Sequence, residues 1–204
     1  SAAPRRWRPN RGWKAVRGST AISPAFYPLW VSPFLQHASR LMKIIRTARS
    51  MVSWSDRLHR EGVTIGFVPT MGALHDGHRS LIRTARLCCD ALVVSIFVNP
   101  SQFSPTEDLS TYPRPIARDR ALCREEGVDA CFEPVAQTMY PQGFQTTVTV
   151  PSLARRWEGA ARPHHFAGVA TVVTKLFCMV RPHLALFGQK DYQQAALVRQ
   201  LVED

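Results

Sequence analysis

Acidic side chains are scarce, with 15 Asp and Glu against 26 Lys and Arg in 204 residues, a formal charge of +11. The deficit is local. Residues 1–41 hold seven basic residues (Arg5, Arg6, Arg8, Arg11, Lys14, Arg17 and Arg40) and no acid, which leaves +4 for residues 42–204. The larger part is only mildly basic, which suits phosphates and carboxylates and does not read as a nucleic-acid surface. No C-x-x-C pair occurs among Cys88, Cys89, Cys123, Cys131 and Cys178. An odd count without a framework excludes a disulfide-stapled scaffold and points to reduced thiols in a cytoplasmic setting. Cys88 and Cys89 sit in an apolar helical stretch and read as small buried hydrophobes. Long apolar runs are also missing: none approaches the ~20 residues that cross a bilayer. The longest candidate, residues 21–35, is broken by Pro24, Pro28 and Pro33, which excludes a continuous helix.

What is present has the balance of a globular protein, 45% hydrophobic and 20% charged, in a length sufficient for one well-buried domain plus an appendage. The acid-free residues 1–41 show neither helical nor strand period. A transit peptide fits their composition, but the prolines spoil an amphipathic helix. A nucleic-acid-binding arm fits the Arg and Trp content, but not the irregular spacing. The favoured reading is a disordered basic extension, translated from upstream of a start at Met42, because Met42-Lys43-Ile44-Ile45-Arg46 opens ordered sequence abruptly.

Residues 42–204 alternate between strand and helix periods. Helices are expected over residues 50–61, 79–89, 166–180 and 191–202, with a polar helix ending at Glu126. Strands are expected over 63–68, 91–98, 128–133 and 184–187, with an extra alternating strand over 145–150 and a Pro-rich loop over 99–115. Repeated βα units imply an α/β fold, a Rossmann-like parallel sheet flanked by helices, with ligands at the carboxyl ends of the strands. Three segments directly follow strands and so share that edge: residues 69–78, 99–103 and 188–194.

The first is Pro69-Thr70-Met71-Gly72-Ala73-Leu74-His75-Asp76-Gly77-His78. A helix beginning here offers unpaired N–H groups and a positive dipole end to a phosphate. His75 and His78, three apart, share a helical face and can donate to oxygens where charge develops on phosphorus. Gly77 between them leaves the backbone open to approach. Two capping histidines are the bland alternative. A zinc site lacks further ligands at a convincing spacing, so no metal site is expected. In the second segment, Asn99 and Gln102 can hold a small polyol-carboxylate by directed hydrogen bonds, against the alternative of a solvated Asn-Pro turn. In the third, Gly188 lets the chain pass close to a ligand, Lys190 supplies a point charge and Asp191 can cap a helix with Gln194 one turn on. His165 precedes an apolar helix and either reaches phosphate or caps that helix.

With these residues in place, residues 42–204 resemble the pantothenate synthetases. The similarity runs through residues 69–78, Ser95-Ile96-Phe97-Val98-Asn99-Pro100 with Gln102-Phe103, Tyr112-Pro113-Arg114, Met139-Tyr140-Pro141, His165-Phe166-Ala167-Gly168-Val169 and residues 187–194. The resemblance implies an H-x-G-H nucleotidyltransferase fold in a homodimeric, Mg2+- and ATP-dependent ligase. Pantoate would be activated as pantoyl-adenylate with loss of pyrophosphate, and β-alanine would take the acyl group with loss of AMP. It further implies that Met71, Gly72, Ala73, Leu74, His75, Asp76, Gly77 and His78 contact ATP, with His78 in the acid role and His75 beside it. Gly188, Gln189, Lys190 and Asp191 would complete the nucleotide site, with Lys190 counted among the catalytic residues. Gln102 and Gln194 would hold pantoate, Gln102 lying near β-alanine too, with Asn99, Tyr112 and His165 lining the pocket. Gln189 stands where many relatives carry Glu, and its backbone is the expected contact. The family continues past the position of Asp204 into a Ser/Arg-containing loop and a small lid domain, so the sequence reads as a fragment. Another H-x-G-H nucleotidyltransferase, such as a pantetheine-phosphate or nicotinamide-mononucleotide adenylyltransferase, is the nearest alternative. A basic nucleic-acid-binding protein led by residues 1–41 is a more distant one.

Overall fold

Strand-forming runs and amphipathic helices alternate through the chain because apolar residues recur first every second, then every third or fourth position. The computed structural model describes residues 14–15, 41–103, 109–155, 157–162 and 164–204. Its strands are β1 (Lys14–Ala15), β2 (Lys43–Ile45), β3 (Ile65–Thr70), β4 (Ala91–Ile96), β5 (Ala130–Phe132) and β6 (Leu184–Ala185). The principal helices are α1 (Ala48–Arg60), α2 (Asp76–Arg86), α3 (Ile116–Glu125), α7 (His165–Val180) and α8 (Tyr192–Glu203); the short helices α4 (Ala136–Met139), α5 (Pro151–Ala154) and α6 (Glu158–Ala161) lie between α3 and α7.

All strand pairs are parallel, in the order β1-β6-β3-β4-β5-β2. β3 and β4 pair over six residues, from Ile65 opposite Ala91 to Thr70 opposite Ile96. The chain steps outward from β3 through β4 to β5, then returns to the other side of β3 to form β6. The winding reverses between β3 and β6, which is where open α/β sheets leave a crevice outside the strand ends.

Period-two alternation sorts the two faces. Ile65, Phe67, Ala91 and Val93 join one apolar cluster with α1, α7 and α8, while Val68, Leu92 and Val94 join the other with α2 and α3. Helix α7 is buried at nine of its sixteen positions, which accounts for its nearly continuous apolar sequence. Helix α1 shows the opposite extreme, burying Met51, Trp54, Ser55 and Leu58 on one stripe behind an N-cap in which Thr47 accepts from Ser50 N.

Three expectations need correction. Residues 145–150 form no strand: Val148 N donates to Thr171 Oγ1 at 3.0 Å, so α7 satisfies this backbone and Val150 is buried without a ladder. Helix α2 begins at Asp76, before the expected Arg79, so His75 is its N-cap and His78 lies in its first turn. Strand β6 keeps only two of the four expected residues. Of the expected basic extension, Lys14–Ala15 pairs with β6. The rest of residues 1–40 lies outside the described residues, as do residues 104–108 of the Pro-rich loop.

Candidate active site

The carboxyl end of β3 turns through Met71, Gly72, Ala73 and Leu74 into α2. Gly72 and Ala73 both have positive φ, 86° and 52°, a conformation that costs a non-glycine residue on the order of 1 kcal/mol. Something must hold it, and Asp119 of α3 does. Its Oδ2 accepts from Ala73 N at 2.9 Å and its Oδ1 from Leu74 N at 2.8 Å. The carboxylate is only 1% exposed, so both are charge-assisted bonds in a dry setting. Thr70 completes the turn, donating to Ser95 O at 2.7 Å and accepting from Gly72 N at 3.1 Å.

The two histidines then cap α2 reciprocally. His75 Nδ1 accepts from Gly77 N at 3.1 Å, and His78 Nδ1 accepts from His75 N at 3.4 Å. This is the logic of a capping box with imidazoles in place of Ser and Glu. It also fixes the tautomers: a neutral ring that accepts at Nδ1 carries its proton on Nε2. Both rings, 4.2 Å apart between centroids, therefore present donors rather than lone pairs. A Cβ at position 77 would lie 2.8 Å from His75 Cε1, so glycine there seats the imidazole, a more immediate role than backbone access for a ligand. Burial pushes the His78 pKa down, and His75 acts in the same direction, while the Asp119 and Asp191 carboxylates oppose them. His78 is thus a neutral Nε2–H donor near pH 7, with two carboxylates within electrostatic reach.

At the end of β4, the 3-10 turn Pro100–Gln102 carries Gln102, 8% exposed. Asn99 is 1% exposed and its Nδ2 donates to Gln102 Oε1 at 2.8 Å and to Gly168 O at 3.2 Å. Its Oδ1 accepts from Tyr140 OH at 2.7 Å and from Ser101 Oγ at 3.0 Å. Asn99 is fully engaged within the protein and stands behind Gln102. Helix α7 closes on this turn because position 168 is glycine: a Cβ there would lie 2.3 Å from Ser101 O. His165, in the first turn of α7, donates from Nδ1 to Gln102 O at 3.0 Å, which leaves its Nε2 as an acceptor. Tyr112 packs edge-on against Phe103 at 5.8 Å, and burial followed by Asp119 raises its phenol pKa.

After β6, Gly188 is half-buried with open space where a Cβ would stand. Gln189, Lys190 and Asp191 are exposed. Asp191 makes no side-chain cap on α8; its carboxylate acts on His78 instead. Gln194 is half-buried, and its neighbour Gln193 ties α8 to α5 through Leu153 O at 2.9 Å. Met71, half-buried, and the exposed Asp76 complete the first corner.

Asp119, Thr70, Ser101 and Tyr140 escaped sequence reasoning as site residues. No spacing ties Asp119 to residues 73–74, and only its position in an otherwise polar helix hinted that a buried side might exist. Among the described residues no group of three or more His, Cys, Asp and Glu is placed to hold a metal ion.

A parallel Rossmann-like sheet with an H-x-G-H turn at its switch point defines the nucleotidyltransferase-type fold. Residues 43–204 match the pantoate-beta-alanine ligase family, and the chain belongs to that family. It is 55% identical to the pantothenate synthetase of Heliobacterium modesticaldum over 163 residues, 80% of this chain and 58% of that protein. With its Deinococcus radiodurans counterpart it shares 60% over 140 residues, 69% of this chain and 50% of the relative. The crystal structure of Thermus thermophilus pantothenate synthetase superposes with a TM-score of 0.75 at 49% identity, covering 80% of this chain and 58% of that one. The Francisella tularensis pantoate-beta-alanine ligase, crystallised with beta-gamma ATP and beta-alanine, gives 0.76 at 41% identity, covering 80% and 63%. The chain thus spans little more than half the length of these relatives.

Proposed function

We propose that this chain carries the ATP and pantoate sites of an enzyme that condenses pantoate with β-alanine. The observation that carries the reading is the reciprocal His75–His78 cap at the end of β3, beside the point where the winding reverses. The supporting chemistry is one of matched polarity. A triphosphate laid against the start of α2 would meet the positive end of the helix dipole and two Nε2–H donors. Lys190 would add a point charge, and Met71–Leu74 with Gly188, Gln189 and Asp191 would border the nucleotide through backbone and shape. Mg2+ would arrive with ATP as part of that substrate.

Pantoate would lie toward Gln102 and Gln194. Its carboxylate oxygen attacks the α-phosphorus, the bond to pyrophosphate breaks, and pantoyl-adenylate forms. The charge growing on the α-phosphate oxygens is met by His78 Nε2–H, the acid role, with His75 beside it. β-Alanine's amine then attacks the acyl carbon and AMP leaves. His165 Nε2, an acceptor, suits a hydroxyl or an ammonium nearby. Tyr112 would wall the pocket, and Asn99 would contribute through Gln102. A homodimer in the cytoplasm completes the proposal. Its support is the family, the five free cysteines and the lack, among the described residues, of a helix long and apolar enough to cross a membrane.

The test is pyrophosphate release in the full-length enzyme, screened with pantoate, pantetheine phosphate and nicotinamide mononucleotide as acceptors. Release is expected with pantoate alone. Gln102→Ala should raise the pantoate constant about tenfold or more, the loss of a buried hydrogen bond worth ~1–3 kcal/mol, and leave the ATP constant nearly unchanged. A shift in the ATP constant instead would remove Gln102 from the pantoate side.

A further inference from the structure

A carboxamide is nearly the same shape end for end, so hydrogen-bond partners decide which end a glutamine turns toward its ligand. Gln102 has its Oε1 occupied by Asn99 Nδ2 at 2.8 Å, and among the described residues its Nε2 has no acceptor. It therefore shows donors to the site. That choice is inherited. Asn99 cannot reverse, because Gly168 O, an obligate acceptor, faces its Nδ2 at 3.2 Å, while Ser101 N and Ser101 Oγ face its Oδ1. The shortest bond in the set is Tyr140 OH to Asn99 Oδ1, 2.7 Å.

Tyr140 is itself held. Its ring meets Phe97 and Phe144 at 6.4 and 5.1 Å between centroids, and the Lys175 ammonium stands 5.9 Å from it. Burial raises the phenol pKa, so the hydroxyl stays a donor across the neutral range.

We propose that Tyr140, with Ser101 beside it, is a positioning residue that acts through Asn99 to fix which end of the Gln102 amide faces the substrate. The inference rests on the reading that Gln102 faces pantoate. It makes the site selective for an acceptor oxygen, a carboxylate or hydroxyl, over an amide N–H at that point. Reversing Gln102 would set its carbonyl oxygen against a substrate oxygen, which is repulsive.

The experiment uses the full chain and two independent readouts. In the first, without ligand, Tyr140→Phe should speed solvent exchange of the Asn99 carboxamide protons at least tenfold by NMR, with melting temperature held within a few degrees. In the second, pantoate is titrated to millimolar concentration. Tyr140→Phe should weaken it about tenfold in the wild-type background and leave ATP affinity within twofold. In a Gln102→Ala background the same substitution should do nothing further, because its route to the ligand is gone. An equal loss in both backgrounds, or unchanged Asn99 exchange, overturns the inference. If the wild-type chain binds no pantoate, the proposed function falls instead, and the exchange measurement still decides whether Tyr140 orders the amide.

Discussion

His78 keeps its proton on Nε2 because its Nδ1 is occupied by the His75 N–H, and burial keeps the ring neutral. Two expected outcomes follow at the residue scale. In the full-length enzyme, His78→Ala should cut the rate of pantoate-dependent pyrophosphate release by roughly 10²–10³, the usual loss for one transition-state donor. Near-normal release would remove His78 from the chemistry. Asp119→Asn keeps the shape of the side chain but replaces one carboxylate oxygen with an N–H donor against a backbone N–H donor. One of the two bonds to Ala73 and Leu74 must break, and the positive-φ turn loses its clamp. ATP affinity should fall on the order of tenfold, that being the lower end of losing a charged hydrogen bond, with pantoate affinity less affected. Isothermal titration of the two ligands separates these outcomes; equal losses would point to general unfolding.

At the scale of elements, the register of β3 against β6 depends on a histidine outside the site. His183 Nδ1 accepts from Ile65 N at 2.9 Å, where β3 begins, and its ring stacks on His59 of α1 at 4.7 Å. Burial lowers the His183 pKa, with His59 acting in the same direction and Asp90 opposing. A histidine whose folded pKa is depressed contributes stability that is present above its ordinary value near 6.5. That contribution is lost as pH falls through the folded value. Protonation at Nδ1 would also orphan the Ile65 N–H. Urea unfolding at pH 7 and pH 5 should show the chain losing stability on acidification. His183→Asn, which retains an acceptor for Ile65 without the titration, should flatten the difference. A fall of the same size in the variant would assign the acid sensitivity to other groups, His78 among them.

For the whole molecule, two apolar layers enclose one sheet, and the three corners that bear the candidate site hang from strands in that sheet. Residues 42–204 by themselves should therefore fold and bind ATP weakly. On the proposed mechanism, turnover to pantothenate by these residues alone should be poor, because they match only 58% of the length of the Heliobacterium modesticaldum relative and a reactive adenylate must be kept from water. Assaying residues 42–204 with ATP, pantoate, β-alanine and magnesium checks this, and full activity from that piece would require the mechanism to be rebuilt.

Periodicity alone was enough for the parallel α/β class and for the three strand-to-helix corners, because side-chain burial on a strand or helix repeats with the local geometry and needs no partner to be known. The H-x-G-H run and Gln102 were legible for the same reason, being placed by their distance from a buried strand. The capping histidines that the sequence offers as the bland alternative are what the structure shows, and they move the start of α2 forward from Arg79 to Asp76. Residues 145–150 alternate like a strand, yet Thr171 of α7 takes their backbone hydrogen bond, a contact made 23 residues away. Asp119 under Ala73 and Leu74, and Tyr140 behind Asn99, lie 46, 45 and 41 positions from the atoms they hold. Which polar side chain satisfies which distant backbone or amide is a property of packing, since a buried donor takes whatever acceptor the fold brings within about 3 Å. The sequence by itself determined the fold class and which strand-to-helix corners carry the candidate site; only the tertiary structure decided which atoms of the histidines and of Gln102 are left unoccupied there.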